Sequence, residues 1–289
     1  MSDPYLQPDH LPPAVFKAIS IRLEERAAHS KFQALYQPYF DTIIASKSNT
    51  STSVLEIGCG TGPIIRQLES QLQNSGNSGK LQSSDTNYQP ELHACDISSK
   101  FIKQAQDLSS EQSNISHIQW QLSQAEQALP YCNEQFGWVI MHTLLGHIPD
   151  PLFMLTEAKR LLKPTGKIIV FDTDFLSATF AYDDIEKGRM IDYQLMTSIA
   201  HNPDICRILP QLIQQAELNL KHSKADNLSE IGQGDFWLSS VQGVAKLMPS
   251  LNISDTNSAQ AWLDYQLNAH KNQQFFASCN YYTFYLSKD

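Results

Sequence analysis

The sequence predicts an α/β protein built on a doubly wound, mostly parallel sheet, with a helical segment ahead of it and further helices after it. Three observations carry this expectation. From Val54 onward, short apolar runs alternate with stretches of helical period, the pattern of successive strand and helix units. The first such run ends in a glycine-rich turn, Gly58-Cys59-Gly60-Thr61-Gly62, that leads into a helical pattern. A later run, Lys167-Ile168-Ile169-Val170-Phe171, is continuously apolar after its lysine, as a strand covered on both faces should be.

Taken in order, Phe16, Ile19, Leu23, Ala27, Leu35, Phe40 and Ile43 recur at helical spacing and predict two or three helices over residues 15–44. The small polar residues 46–53 read as a linker, which sets expected segments of 1–50, 51–175 and 176–289. A strand at Val54–Ile57 is followed by a helix carrying Ile64, Ile65, Leu68 and Leu72. Residues 74–90, poor in apolar side chains, read as a surface insertion. Next come a strand at 92–95, a helix at 98–108, and strands at 117–122 and 136–141. Asp150-Pro151 announces a helix by pairing a capping side chain with the residue best suited to its first position. Lys163-Pro164-Thr165-Gly166 then turns the chain into the strand at 167–171. Beyond it, helices are expected at 184–200, 203–216, 236–248 and 257–272, with strands near 218–222 and 280–286.

The 289 residues are 42% hydrophobic, enough for one large domain or one domain with an elaborated cover. A formal net charge of -9 disfavours nucleic acid as a partner, and no basic run with interleaved aromatics argues otherwise. Five scattered cysteines without a C-x-x-C pair indicate neither a disulfide framework nor a zinc knuckle. With no apolar stretch of membrane-spanning length and no signal-like start, the expected setting is cytoplasmic.

The sharpest motif is Glu56-Ile57-Gly58-Cys59-Gly60-Thr61-Gly62. Alternate glycines allow backbone conformations closed to other residues and let a ligand lie against the main chain, and amides at the helix start favour an anionic group. Pro63 departs from the G-x-G-x-x-G spacing of a dinucleotide site. Glu56 would face a cation; a dinucleotide offers none there, whereas the methionine half of S-adenosylmethionine carries an ammonium. Asp96, closing the next strand, can accept from both hydroxyls of a ribose.

VLEIGCGTGP, then CDIS, QAEQALP, FGWVIMHTLLGHIPDP and LLKPTGKIIVFD together resemble the class I S-adenosylmethionine-dependent methyltransferases, in particular the UbiE-like small-molecule branch. The resemblance is strong over about residues 54–172 and weaker through RLEERAAHSKF before it and DTDF and NPDICRILPQLIQQAEL after it. It implies a Rossmann-like methyltransferase fold with seven strands, the last antiparallel, and a helical lid over the methyl group. It also implies S-adenosylmethionine as cofactor, with Glu56 at its methionine end, Gly58, Cys59, Gly60 and Gly62 beneath it, and Asp96 with Ile97 at the ribose. Where the family often has an acid near the adenine, this chain has Gln124, with Ala125 beside it; a side-chain amide still supplies an acceptor.

Methyl transfer from a sulfonium asks the protein for alignment, exclusion of water and, for a hydroxyl acceptor, a base. His147 is the first candidate for that base and His142 the second. His142 also reads as a cofactor-lining residue, and His147 equally as a packing or capping histidine. Asp172 and Asp174 either orient an acceptor or are plain loop polarity. Arg22 and Arg26 either close over the cofactor carboxylate or carry surface charge. Phe175, Phe180, Tyr182, Tyr193, Phe236 and Trp237 suggest an apolar cover. His142 and His147 lie five apart with no acid at ligand spacing, so no metal is expected. The expected function is methylation of an oxygen or nitrogen, less readily a carbon, of a small organic molecule such as a secondary metabolite, by a monomer or homodimer. A nicotinamide-dependent dehydrogenase and a non-catalytic S-adenosylmethionine-binding protein are the alternatives.

Overall fold

The structure, a computed structural model, describes residues 3–46, 52–77, 90–112, 116–124 and 127–289, without the side chains of 75–77. Most of the expected insertion, and Ala125, lie outside these residues. The described chain runs α1 (Pro13–Ala28), α2 (Ser30–Ala45), β1 (Ser53–Ile57), α3 (Pro63–Asn77), β2 (Glu91–Asp96), α4 (Ser99–Gln112), β3 (Ile118–Leu122) and β4 (Phe136–His142). It continues through α5 (Pro151–Leu161), β5 (Leu162–Phe180), α6 (Ile185–Ile199), α7 (Ile205–Gln215), β6 (Asn219–Gly232), α8 (Phe236–Leu247), α9 (Thr256–Lys271) and β7 (Phe275–Ser287).

The strands form one seven-stranded sheet in the order β3-β2-β1-β4-β5-β7-β6. Pairing is parallel from β3 to β5, and β7 runs antiparallel between β5 and β6. β1 is buried along its whole length, as a strand flanked by partners and covered on both faces must be. One face packs Val54, Ile140 and Ile169 against the aromatic side chains Phe32, Tyr36, Tyr39 and Phe40 of α2. The opposite face packs Leu55, Val139 and Ile168 against Leu155, Leu161, Leu209 and Ile213 of α5 and α7. The strand order reverses between β1 and β4, and β1, β2 and β4 open their C-terminal ends there, where such sheets take ligands.

Local chemistry fixes the helix starts. Asp150 accepts the Phe153 amide at 2.8 Å, Asp184 that of Lys187 at 3.0 Å and Asp255 that of Ser258 at 2.8 Å. α8 is capped from a distance. Glu230 of β6 accepts the amides of Asp235, Phe236 and Trp237 at 2.9–3.0 Å and the Lys31 ammonium of α2 at 2.5 Å. Burial pushes the Glu230 carboxyl up, but Lys31 and these amides outweigh it and hold the group below its ordinary value.

Two strands, β5 and β6, differ from the sequence expectation. The expected turn at Lys163–Gly166 is an irregularity within β5, since Leu162 already pairs with Phe136 and Lys167 with Trp138. β5 then continues to Phe180, through the expected boundary at 175, because antiparallel pairing with β7 satisfies its backbone as far as the Phe180–Ala277 pair. β6 is also far longer than 218–222. As the sheet's edge it leaves most side chains exposed, so its sequence carries little apolar alternation.

Candidate functional site

At the C-terminal ends of β1, β2 and β4 lies one cleft of about 1330 Å³, counted with its open mouth. Its floor is Glu56, Gly58, Cys59 and Gly60; Asp96 and Ile97 form one wall, and His142, Thr143 and Leu144 another. Gln124 also lines it. The cover comes from the N-terminal segment, with Tyr5, Leu6, Leu23 and Arg26, while none of its lining comes from residues 176–289. The expected C-terminal lid instead stands behind that cover: Phe236 of α8 stacks on Phe32 of α2, with ring centroids 5.7 Å apart.

The glycine loop takes the left-handed backbone the sequence implied. Gly58 has φ +73°, and a Cβ there would lie 2.4 Å from the Leu144 side chain. Most of the loop amides expected to face a ligand are engaged within the protein. Gly58 and Cys59 donate to the Cys95 carbonyl, Gly62 to Cys59, and Gly60 to the Asp96 carboxylate. In the first turn of α3, Ile65 donates to Glu56 Oε2 at 3.0 Å, and Arg66 makes the ordinary helix bond to the Gly62 carbonyl. The sequence exposes glycines, but only the fold decides where their N–H groups point.

Glu56 is 1% exposed, and burial pushes its carboxyl up to about 8 despite the Ile65 amide. Such a group ionises at neutral pH only beside a cation, the condition an ammonium would meet. Asp96 accepts from Gly60 at 2.8 Å and Ser98 at 2.9 Å, one per oxygen, so each oxygen keeps lone pairs for a hydroxyl. Burial raises this carboxyl as well, with the amides of Ser98, Gly60 and Ile97 acting against it.

His147 Nδ1 lies 2.7 Å from Asp3 Oδ2, and the ring packs against Tyr5 and Phe175. Asp3 also accepts the amides of Tyr5 and His201, which anchors the chain start beside the cleft. Further along, Asp9 holds Ser98, Ser99 and Lys100 at the start of α4. Asp3, Asp9 and Tyr39 carry no signal in the sequence; each acts on a residue at least 89 positions away, and no spacing rule links them.

His142 is buried, stacks on Phe171, and has Nδ1 2.7 Å from the hydroxyl of Tyr39. Tyr39 is fully buried, and its hydroxyl has no other acceptor among the described residues. If Nδ1 carried the proton, the phenol hydrogen and the Nε2 lone pair would both go unsatisfied, at about 1–3 kcal/mol for each. Tyr39 therefore donates to Nδ1, and Nε2 carries the hydrogen. Burial, aided by Arg26, holds the imidazole well below its ordinary value, so it is neutral. Its buried Nε2 has no protein partner among the described residues.

Thr143 follows at φ +50°, an uncommon conformation for a β-branched residue. It is held by its amide on the Phe171 carbonyl at 2.6 Å and by Arg26, which donates to its hydroxyl at 2.9 Å. Arg26 also lies over the Phe32 ring. Arg22, expected at the cofactor, instead donates to Ser239 and Ser240 of α8 and lies over Phe236; it sits on the same face of α1 as Arg26 but one turn earlier, where α8 is its neighbour. Asp174 is likewise drawn off, paired with Arg207 at 3.1 Å, and Asp172 braces the Gly146 amide at 3.2 Å. Among the described residues there is no His, Cys, Asp and Glu group that could hold a metal, and no helix long and apolar enough to cross a membrane.

A parallel sheet with its last strand reversed, opening at its switch point onto a carboxylate-flanked glycine loop, defines a class I S-adenosylmethionine-type crevice. The methyltransferase domain family matches residues 48–219, over half of the chain, and the chain belongs to that family, in its UbiE-like class I form. It is 23% identical over 175 residues to the ubiquinone/menaquinone biosynthesis C-methyltransferase UbiE of Rickettsia peacockii, covering 61% of this chain and 62% of that protein. It is 31% identical over 132 residues to the biotin biosynthesis bifunctional protein BioHC of Teredinibacter turnerae, covering 44% of this chain and 21% of that one. The chain thus spans less than two thirds of these relatives. In fold it is similar to the cyclase SpnF, with TM-score 0.54 and 15% identity over 100% of this chain and 97% of that one. The YcgJ protein of Bacillus subtilis matches with TM-score 0.53 and 16% identity, over 88% and 99%. S-adenosylmethionine is the cofactor of this fold family.

Proposed function

We propose that the protein transfers the methyl group of S-adenosylmethionine to an oxygen or nitrogen of a small, partly apolar organic molecule. The observation that carries this reading is that His147, oriented by Asp3, lines the same cleft as Glu56 and Asp96. The cofactor, when bound, supplies a methyl group already activated on a sulfonium. Glu56 receives its ammonium, Asp96 its ribose hydroxyls, and Ile97 and Gln124 flank its base. The apolar cover of Tyr5, Leu6 and Leu23 excludes water and accommodates an acceptor with apolar surface. With Asp3 engaging Nδ1, His147 presents Nε2 as the base that takes the proton of a hydroxyl or amine. Asp174, committed to Arg207, is given no part. Residues 1–50 act as the cover, 51–175 as the cofactor-binding core, and 176–289 as the backing that completes the sheet.

Incubation with methyl-labelled S-adenosylmethionine and a panel of phenols, amines and carboxylic acids tests the reading directly. Labelled product is expected from the native protein, and a loss of about a hundredfold in turnover from His147→Gln with cofactor affinity retained. Equal turnover in both proteins removes His147 as the base. A second reading, methylation of a ring carbon beside an ionised hydroxyl, is favoured by the name of the UbiE relative. It uses the same base, and the position of the label separates the two. Cofactor binding with no labelled product from any acceptor supports a non-catalytic role instead.

A further inference from the structure

A ligand carboxylate in this cleft finds the loop amides of Gly58, Cys59, Gly60 and Gly62 already engaged. Side-chain donors also face it. Arg26 lines the cleft, and no carboxylate among the described residues pairs with it; its contacts are the Thr143 hydroxyl and the Phe32 ring. His142, the residue before Thr143, is buried and lines the same cleft, with Nε2 unpartnered. Phe32 joins the two, with its ring 5.7 Å from that of His142 and 5.1 Å from the Arg26 guanidinium carbon.

We propose that the Arg26 guanidinium and the Nε2–H of His142 form a carboxylate-binding site in the cleft, and that Tyr39 is the positioning residue that fixes His142 as a donor. His142 is then a hydrogen-bond donor and not a base, which leaves proton removal to His147. The site rests on the reading of the cleft given above. Two sources share this chemistry: the methionyl carboxylate of the cofactor and a carboxylate on the acceptor. Arg26 and His142 act together, since the guanidinium supplies charge and the imidazole a fixed direction.

The test labels the histidines with nitrogen-15 and reads the His142 tautomer by NMR, assigned with His142→Gln. The native protein is expected to show hydrogen on Nε2 before any ligand is added, and Tyr39→Phe to lose that single tautomer. S-adenosylhomocysteine and 5'-methylthioadenosine, which lacks the amino-acid end, are then titrated into native, Tyr39→Phe and Arg26→Gln proteins. If the carboxylate is the cofactor's, S-adenosylhomocysteine shifts the Nε2 signal and 5'-methylthioadenosine does not. The preference between them then shrinks roughly tenfold in each variant. If it is the acceptor's, benzoate shifts the signal with S-adenosylhomocysteine already bound. Hydrogen on Nδ1, or a signal that none of the three compounds moves, overturns the proposal. Failure of both nucleosides to bind overturns the cofactor reading instead, while the tautomer and the benzoate titration still decide this one.

Discussion

Glu56 accepts the Ile65 amide through one oxygen and is otherwise enclosed, so its carboxyl stays largely protonated at neutral pH until a cation arrives. Binding a ligand with an ammonium should therefore expel a proton. Calorimetry of S-adenosylhomocysteine at pH 7 in buffers of different ionisation enthalpy is expected to show that release in the native protein and none in Glu56→Gln. Heat independent of buffer in the native protein would remove the ammonium from this position. The identity of Glu56 and its place before the glycines were legible in the sequence. Its protonation state was not, because that depends on how completely α3 and the sheet exclude water from it.

The turn from β1 into α3 shows how an element can be specified by a clash as much as by a contact. Gly62 has φ +77°, and a Cβ there would lie 2.3 Å from the Trp120 ring of β3. Trp120 is packed against the core and cannot move freely. Gly62→Ala is expected to lose about 2–4 kcal/mol, from the left-handed backbone and overpacking together. Urea unfolding would read this as a lower midpoint at unchanged slope, and a midpoint equal to that of the native protein would contradict it. The glycine pattern announced a turn; that β3 supplies the wall against it was invisible before the strands were placed side by side. The same holds for α8, whose start is capped by Glu230 rather than by a side chain of its own.

Across the whole molecule, Glu56 couples folding to pH. Its folded value of about 8 lies above the 4.5 of an unburied glutamate, so the folded state holds the proton more tightly. Its contribution is present at acid pH and is lost as pH rises through about 8. Asp192, raised to about 6, is already largely ionised above pH 7, and His142, depressed in the folded state, is neutral there when folded and mostly neutral when unfolded. Between pH 7 and 8 the unliganded protein is thus expected to lose stability as pH rises, and Glu56→Gln to flatten that slope. Tm measured across this window, with and without S-adenosylhomocysteine, checks both; a native Tm that rises there contradicts the assignment.

By itself the sequence determined what short-range physics can encode: the alternation of strands and helices, the glycine turn, the acids that close β1 and β2, and the capping of α5 by Asp150. Only the tertiary structure decided which groups share the cleft. Asp3 reaches His147, Tyr39 reaches His142, and Arg26 faces inward while Arg22 turns to Ser239 and Ser240. Likewise, β5 and β6 run on well past their apolar cores because β7 lies between them and completes their hydrogen bonds. The physical reason is the same in each case. Backbone propensity and hydrophobic period act over a few residues, whereas burial, hydrogen-bond partners and protonation are set by whatever distant segment the folded chain brings alongside.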